Sequence, residues 1–265
     1  MLLLTFTFFS TVVCKSQEYK DYKKIHKIYT KIHVADSLYE AKDYKNAIKF
    51  YKKANDGYHY EEMMLSQIAR CYLALGDTLS ASKIKIRKPK VEENINEELR
   101  AEFLKRKVTD QMRGSANNDS LWKIQKEYDK DNQRFLDSLI DKYGCWLGIS
   151  ILGQDGASAA FLFAQHADND VKFQEKCLKF MKKALVKNDV PRHDYAYLMD
   201  RIMLKKHGFQ LFGSQCMEVD SILQSRPLYD ERIIKTLRKY FWMNPLEEYL
   251  EYMQNRYSKK EQNEE

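Results

Sequence analysis

A chain of 265 residues with 44% hydrophobic and 31% charged residues has the balance of a globular protein and excludes a wholly disordered one. Only 9 Gly and 4 Pro in that length argue against many short strands joined by tight turns and for long helices. The formal charge of +7 is scattered at helical spacing, as at Lys23, Lys24, Lys27 and Lys31, which marks a solvated face. It lacks the concentrated basic stripe or reading motif that nucleic-acid binding needs, so no nucleic-acid partner is expected.

Taken in chain order, the first feature is the uncharged 12-residue run from Leu2 to Val13. It is too short to span a bilayer and has the length of the apolar core of a signal peptide, so residues 1–17 are expected to direct export. Two processing outcomes remain open. Cleavage near Ser16–Gln17 releases a soluble periplasmic or cell-surface protein, whereas lipidation at Cys14 tethers it. Val13 is bulkier than the residue that usually precedes a lipidated cysteine, which favours release. No other segment approaches 18 apolar residues, so no membrane span is expected. Cys71, Cys145, Cys177 and Cys216 show no CxxC spacing and read as small buried hydrophobes.

Residues 18–88 contain an internal repeat. Ala35 aligns with Ala69, Leu38 with Tyr72, Asp43 with Asp77 and Ala47 with Ala81, each pair 34 residues apart. Small residues at Ala35 and Ala47 allow close helix approach, and Lys42–Asp43 and Gly76–Asp77 fall where each turn belongs. The segment resembles the tetratricopeptide repeat family, which implies helical hairpins and a surface for a protein partner. Two units are fewer than a solenoid usually needs. Another helix, such as Glu18–Lys31, or the following domain is therefore expected to cover them.

Residues 89–119 read as a connection, a charged helix after Pro89 followed by the loop RGSANNDS. The helix has one apolar stripe, Ile95, Leu99, Phe103 and Val108. Residues 120–257 read as a C-terminal helical domain. Ser120 caps a helix to Tyr143 with the inner stripe Leu121, Ile124, Tyr128, Phe135 and Leu139. The Gly-punctuated stretch CWLGISILGQDG reads as a strand or loop, and Ala157–Ala167 as a compact helix. Asp170 caps a helix to Lys187, and Asp194–Lys206 forms the next. Alternation in Gly208–Val219 around Gly213 suggests a small β-hairpin. Arg232–Met243 and Pro245–Tyr257 complete the domain, and residues 258–265 read as a disordered tail. The expected fold class is thus mainly α, with tetratricopeptide-like hairpins followed by a multi-helix domain carrying a small hairpin.

Three successive helices place a polar group on an apolar face: His166 among Ala159, Leu162 and Phe163, Gln174 among Cys177, Leu178 and Met181, and Asp200 among Ala196, Tyr197 and Met203. Burying such groups alone is costly, so they are expected to converge, with Arg201, Gln165 or Asp168 nearby. The plain outcome is a satisfied polar network that fixes helix packing. The chemical one is a site in which Asp200 orients His166 as general base and Arg201 holds an anionic group. Gln210 and Gln215 flank a turn and could bind a polar ligand or tie the loop down. His166 and Asp168 lack a third ligand, so no metal and no cofactor are expected.

The ordered set QHADNDVKFQEKCLKFM (165–181), AYLMDRI (196–202), GFQLFGSQ (208–215) and NPLEEYLEYM (244–253), with Asn132 and GCWLG (144–148), resembles an uncharacterised bacterial domain family over residues 120–255. The resemblance implies that Gln165, His166, Asp168, Gln174, Asp200, Arg201, Gln210 and Gln215 belong to the family pattern. Ser214 stands where that pattern has Thr and Phe212 where it has Tyr. Two functions follow as expectations. One is an exported interaction or ligand-binding protein; the other is an extracytoplasmic hydrolase or lyase centred on His166 and Asp200.

Overall fold

The computed structural model describes residues 4–54, 61–86, 91, 94–112 and 119–262. They form two compact units, Met1–Arg87 and Lys88–Glu265. Among the described residues the fold is mainly α, with one small antiparallel sheet. No helix there is long and apolar enough to cross a membrane.

The first unit holds helices α1 (Leu4–Glu40), α2 (Tyr44–Ala54), α3 (Glu61–Ala74) and α4 (Thr78–Ser82), each packed on the next. The 34-residue recurrence reappears in backbone geometry. Lys42 and Gly76 both take left-handed conformations, with φ of 62° and 75°. One residue on, the Asp43 and Asp77 amides reach back to the carbonyls of Leu38 and Tyr72, and their carboxylates cap the next helix by accepting from Asn46 and Ser80. Ala35, Ala47, Tyr51 and Ala54, on the packed helices α1 and α2, are fully buried.

The second unit begins with α5 (Glu97–Asp110), which does not merely connect: it packs along α7 (Ile149–His166) and against α6 (Asp119–Tyr143). Phe103 of α5, Phe135 of α6 and Phe163 of α7 form the joint, with Phe103 centroids 5.1 and 5.5 Å from the other two rings. Around it follow α8 (Val171–Leu185), capped by Asp170, and α9 (Arg192–His207), ended by left-handed Gly208. Strands β1 (Cys216–Val219) and β2 (Ile222–Ser225), then α10 (Ile234–Tyr240) and α11 (Leu246–Gln262), complete it.

Several expectations need correction. The hairpin turns at Asp220–Ser221, where both residues have positive φ, and not at Gly213. Helix α6 buries Gln125, Asn132, Leu136 and Ile140, while Leu121, Ile124 and Tyr128 are exposed. The final helix runs through the expected tail as far as Gln262. Among the free cysteines only Cys71 and Cys177 are buried, and Cys145 is exposed.

Of the stretch read as strand or loop, residues 145–148 are loop and the rest is the start of α7, broken at Gly153, where φ is 67° and ψ 176°. This backbone region is essentially restricted to glycine. A Cβ there would meet Ile95 and Arg100 at ordinary contact distances of 3.5 and 3.6 Å, so the obstacle to a side chain is the backbone and not crowding. Gly153→Ala is therefore expected to lower the stability of the second unit by about 1–3 kcal/mol, read as a shifted urea midpoint with unchanged slope. A neutral substitution would show that the break relaxes into continuous helix.

Candidate functional site

Two polar assemblies stand out in the second unit. The first is buried and centred on His166, the last residue of α7. Its Nδ1 lies 2.9 and 3.0 Å from the two carboxylate oxygens of fully buried Asp110, the last residue of α5. Parallel packing of α5 on α7, set by Phe103 and Phe163, brings the two helix ends together. Gln111 donates to the same carboxylate at 2.7 Å. Gln125 of α6 donates to the Asp110 carbonyl and to Asp129 Oδ1, at 3.2 and 2.9 Å. Asp110, Asp129 and His166 each bring a donor atom within 4.8 Å of the others. Buried Gln174 crosses from α8 and donates to the carbonyls of Ala164 and Gln165, holding the end of α7 that carries His166. The carbonyl oxygens of Gln125 and Gln174 are buried without a hydrogen-bond partner among the described residues. Each orphaned acceptor costs about 1–3 kcal/mol, so the cluster is not fully satisfied by its own side chains.

The other expected members lie elsewhere. Asp200 does not orient His166. It is fully buried and accepts backbone N–H bonds from Leu211, Phe212 and Ser214 at 2.8–3.2 Å. Burial pushes its carboxyl up to about 6 against the downward pull of those amides. Asp200 is thus a loop clamp, and the carboxylate that orients His166 is Asp110. Arg201 pairs with Asp168, with Nη1 at 2.7 and 2.8 Å from the two oxygens. Gln210 is fully buried and ties the hairpin: it donates to Gln215, Ser225 and Arg226 and accepts the Gln215 amide. Gln215 donates to Ser214 Oγ, so this amide pair holds a loop. Gln165 offers its main-chain carbonyl to Gln174 and its half-buried side chain makes no hydrogen bond among the described residues.

The second assembly is an open cleft of about 680 Å³ that the sequence reading missed. It is lined by Ile95, by Arg100 and Lys107 of α5, by Gly153, Asp155 and Ser158 of α7, and by Pro191, His193 and Asp194 at the start of α9. Arg100 also meets Glu97, and its fork onto Asp155 at 2.8 and 2.7 Å pulls the Asp155 carboxyl down to about 2. Lys107 is different. Its ammonium donates to Ser158 Oγ at 3.3 Å and has no carboxylate partner among the described residues. Across the cleft, burial pushes the Asp194 carboxyl up to about 7, with His193 Nε2 at 3.3 Å from its oxygen. Burial also lowers the His193 imidazole below its ordinary value. Perturbed titrating groups, an ammonium with no carboxylate partner among the described residues and a strained glycine therefore meet at one concave surface. Gly153 was the only sequence signal for it: a glycine inside an apolar run can mark a broken helix as well as a loop.

Neither the curated proteins nor the solved structures include a match to this chain. Residues 101–262 match a family of unknown function, DUF6624, a span that starts within α5 and takes in Lys107, Asp110, Ser158, His166, His193 and Asp194. Since that span is well over half of the sequence, the chain belongs to the DUF6624 family.

Proposed function

We propose that this is an exported protein whose C-terminal unit binds a small anionic ligand in the cleft beside Lys107, while its N-terminal unit offers a helical surface to a protein partner. One observation carries the ligand reading: the cleft holds an ammonium whose only polar partner among the described residues is a serine hydroxyl. A lysine in such a recess favours an anion, and a volume near 680 Å³ suits a small organic molecule. Export is supported by the uncharged run Leu2–Val13, and partner binding by the 34-residue recurrence of turn geometry at Lys42 and Gly76.

A second reading, an acid–base hydrolase or lyase, is favoured by Asp194 and His193. A carboxyl poised near 7 can give or take a proton at neutral pH, and a neutral imidazole stands next to it. In this reading Asp194 and His193 replace His166 and Asp200 as the acid–base groups.

A thermal-shift screen of the full chain tests the proposal, with acetate, succinate, glycerol phosphate and glucose as probes. At least one anion, and not glucose, is expected to raise the melting midpoint, and Lys107→Gln is expected to abolish the rise. Identical shifts in the Lys107 variant, or a preference for the neutral sugar, would sink the ligand reading. Turnover of p-nitrophenyl acetate or phosphate that disappears in Asp194→Asn would favour the enzyme.

A further inference from the structure

We infer that Asp110, Asp129 and His166 form a site for one divalent transition-metal cation of the Mn²⁺ or Zn²⁺ kind, with the amide oxygen of Gln125 as an additional ligand. The three side chains come from α5, α6 and α7, and their donor atoms lie within 4.8 Å of one another. The separation of His166 Nδ1 from the Asp110 oxygens, 2.9 and 3.0 Å, suits neighbouring ligands of one ion. Two donors each about 2.1 Å from a metal and at right angles to each other stand about 3.0 Å apart. A cation can thus take the place of the proton that the imidazole shares with the carboxylate, with little movement of either group.

Gln125 supplies an independent indication. Its side chain is buried, and its Nε2 is held by the Asp110 carbonyl and by Asp129 Oδ1. Its Oε1, on the amide whose Nε2 bonds Asp129, is buried with no hydrogen-bond partner among the described residues. An amide oxygen in that position is a ready metal ligand. One imidazole among oxygen donors suits Mn²⁺ or Zn²⁺ better than Mg²⁺, which retains its water and prefers oxygen alone. The absence of thiolate from the set argues against Cu⁺. Enclosed as it is, with Asp110 fully buried and the His166 side chain only 9% exposed, the ion would pin α5, α6 and α7 at their meeting point. The expectation of no metal, based on His166 and Asp168, is thereby revised: Arg201 occupies Asp168, and the ligands come from two other helices.

Calorimetric titration of the full chain, stripped with EDTA, against MnCl₂ and separately ZnCl₂ tests the site. One equivalent of at least one ion is expected to bind. Asp129→Asn and His166→Gln should each weaken binding by at least about tenfold. Both variants spare the fully buried Asp110, and circular dichroism checks that they fold. Should His166→Gln fail to fold, the Asp129 variant decides alone. Absence of binding to the wild type, or unchanged affinity in a folded variant, overturns the site without touching the cleft reading.

Discussion

Asp200→Ala is expected to lower the unfolding free energy of the C-terminal unit by about 3–5 kcal/mol, the cost of breaking a buried charged network. The carboxylate accepts the amides of Leu211, Phe212 and Ser214, none of which has another acceptor in that loop. From the opposite side Arg238 donates to the carbonyls of Phe212, Gly213 and Asn244. One ion of each sign therefore grips the same four-residue turn, the carboxylate on its N–H groups and the guanidinium on its C=O groups. Alanine leaves three buried donors unpaired; asparagine still accepts through one oxygen and should cost roughly half as much. Urea unfolding followed by tryptophan fluorescence reads this out cleanly, because Trp122, Trp146 and Trp242 all lie in the second unit. A loss below about 1 kcal/mol would show that Asp200 is not the clamp. Because both ions act on one turn, Asp200→Ala and Arg238→Met should also be non-additive by more than about 0.5 kcal/mol.

The same residue shows where sequence reading stops. Apolar periodicity correctly put Gln174 and Asp200 on buried faces, since both are fully buried. Periodicity cannot say what a buried carboxylate pairs with. A side-chain partner and a row of backbone amides leave the same trace in the helix that carries it, and the amides of residues 211–214 are invisible in the letters GFQLFGSQ. Asp110 was missed for a different reason. The stripe of α5 was closed with Val108, which is 69% exposed. Counting seven residues on from Phe103 would have put Asp110 on the buried face. The face of α6 was mistaken in the same way, because Gln125 and Asn132 occupy buried positions that look polar and outward in sequence. The cleft was illegible because its charges come from three helices that meet only in three dimensions. The turns at Lys42–Asp43 and Gly76–Asp77 were legible because their signals are local: a left-handed residue and an aspartate cap each act within one turn.

The buried carboxyl of Asp194 gives the second large effect, and it depends on pH. Its ordinary value of 3.8 is raised to about 7 by burial. A group whose folded value is raised holds its proton more tightly when folded, so its contribution to stability is complete below pH 4. That contribution declines as pH rises through about 7 and is constant above. Three pH units correspond to a loss of about 4 kcal/mol at most. That figure is a ceiling, because Asp194 sits in the first turn of α9, where the helix dipole favours a negative charge. Asp200 titrates in the same direction with a value of about 6, so the wild-type curve alone does not assign the effect. Asp194→Asn does. The variant should match wild type in urea stability near pH 4 and exceed it progressively, by about 2–4 kcal/mol, at pH 8. The gain should flatten above pH 8, where wild-type Asp194 is already charged. A constant difference across that range would mean that the cleft is wet enough to solvate the carboxylate. In that case neither a poised acid nor a discriminating anion site could be built on it, since both need the same exclusion of water from the recess beside Lys107 and His193.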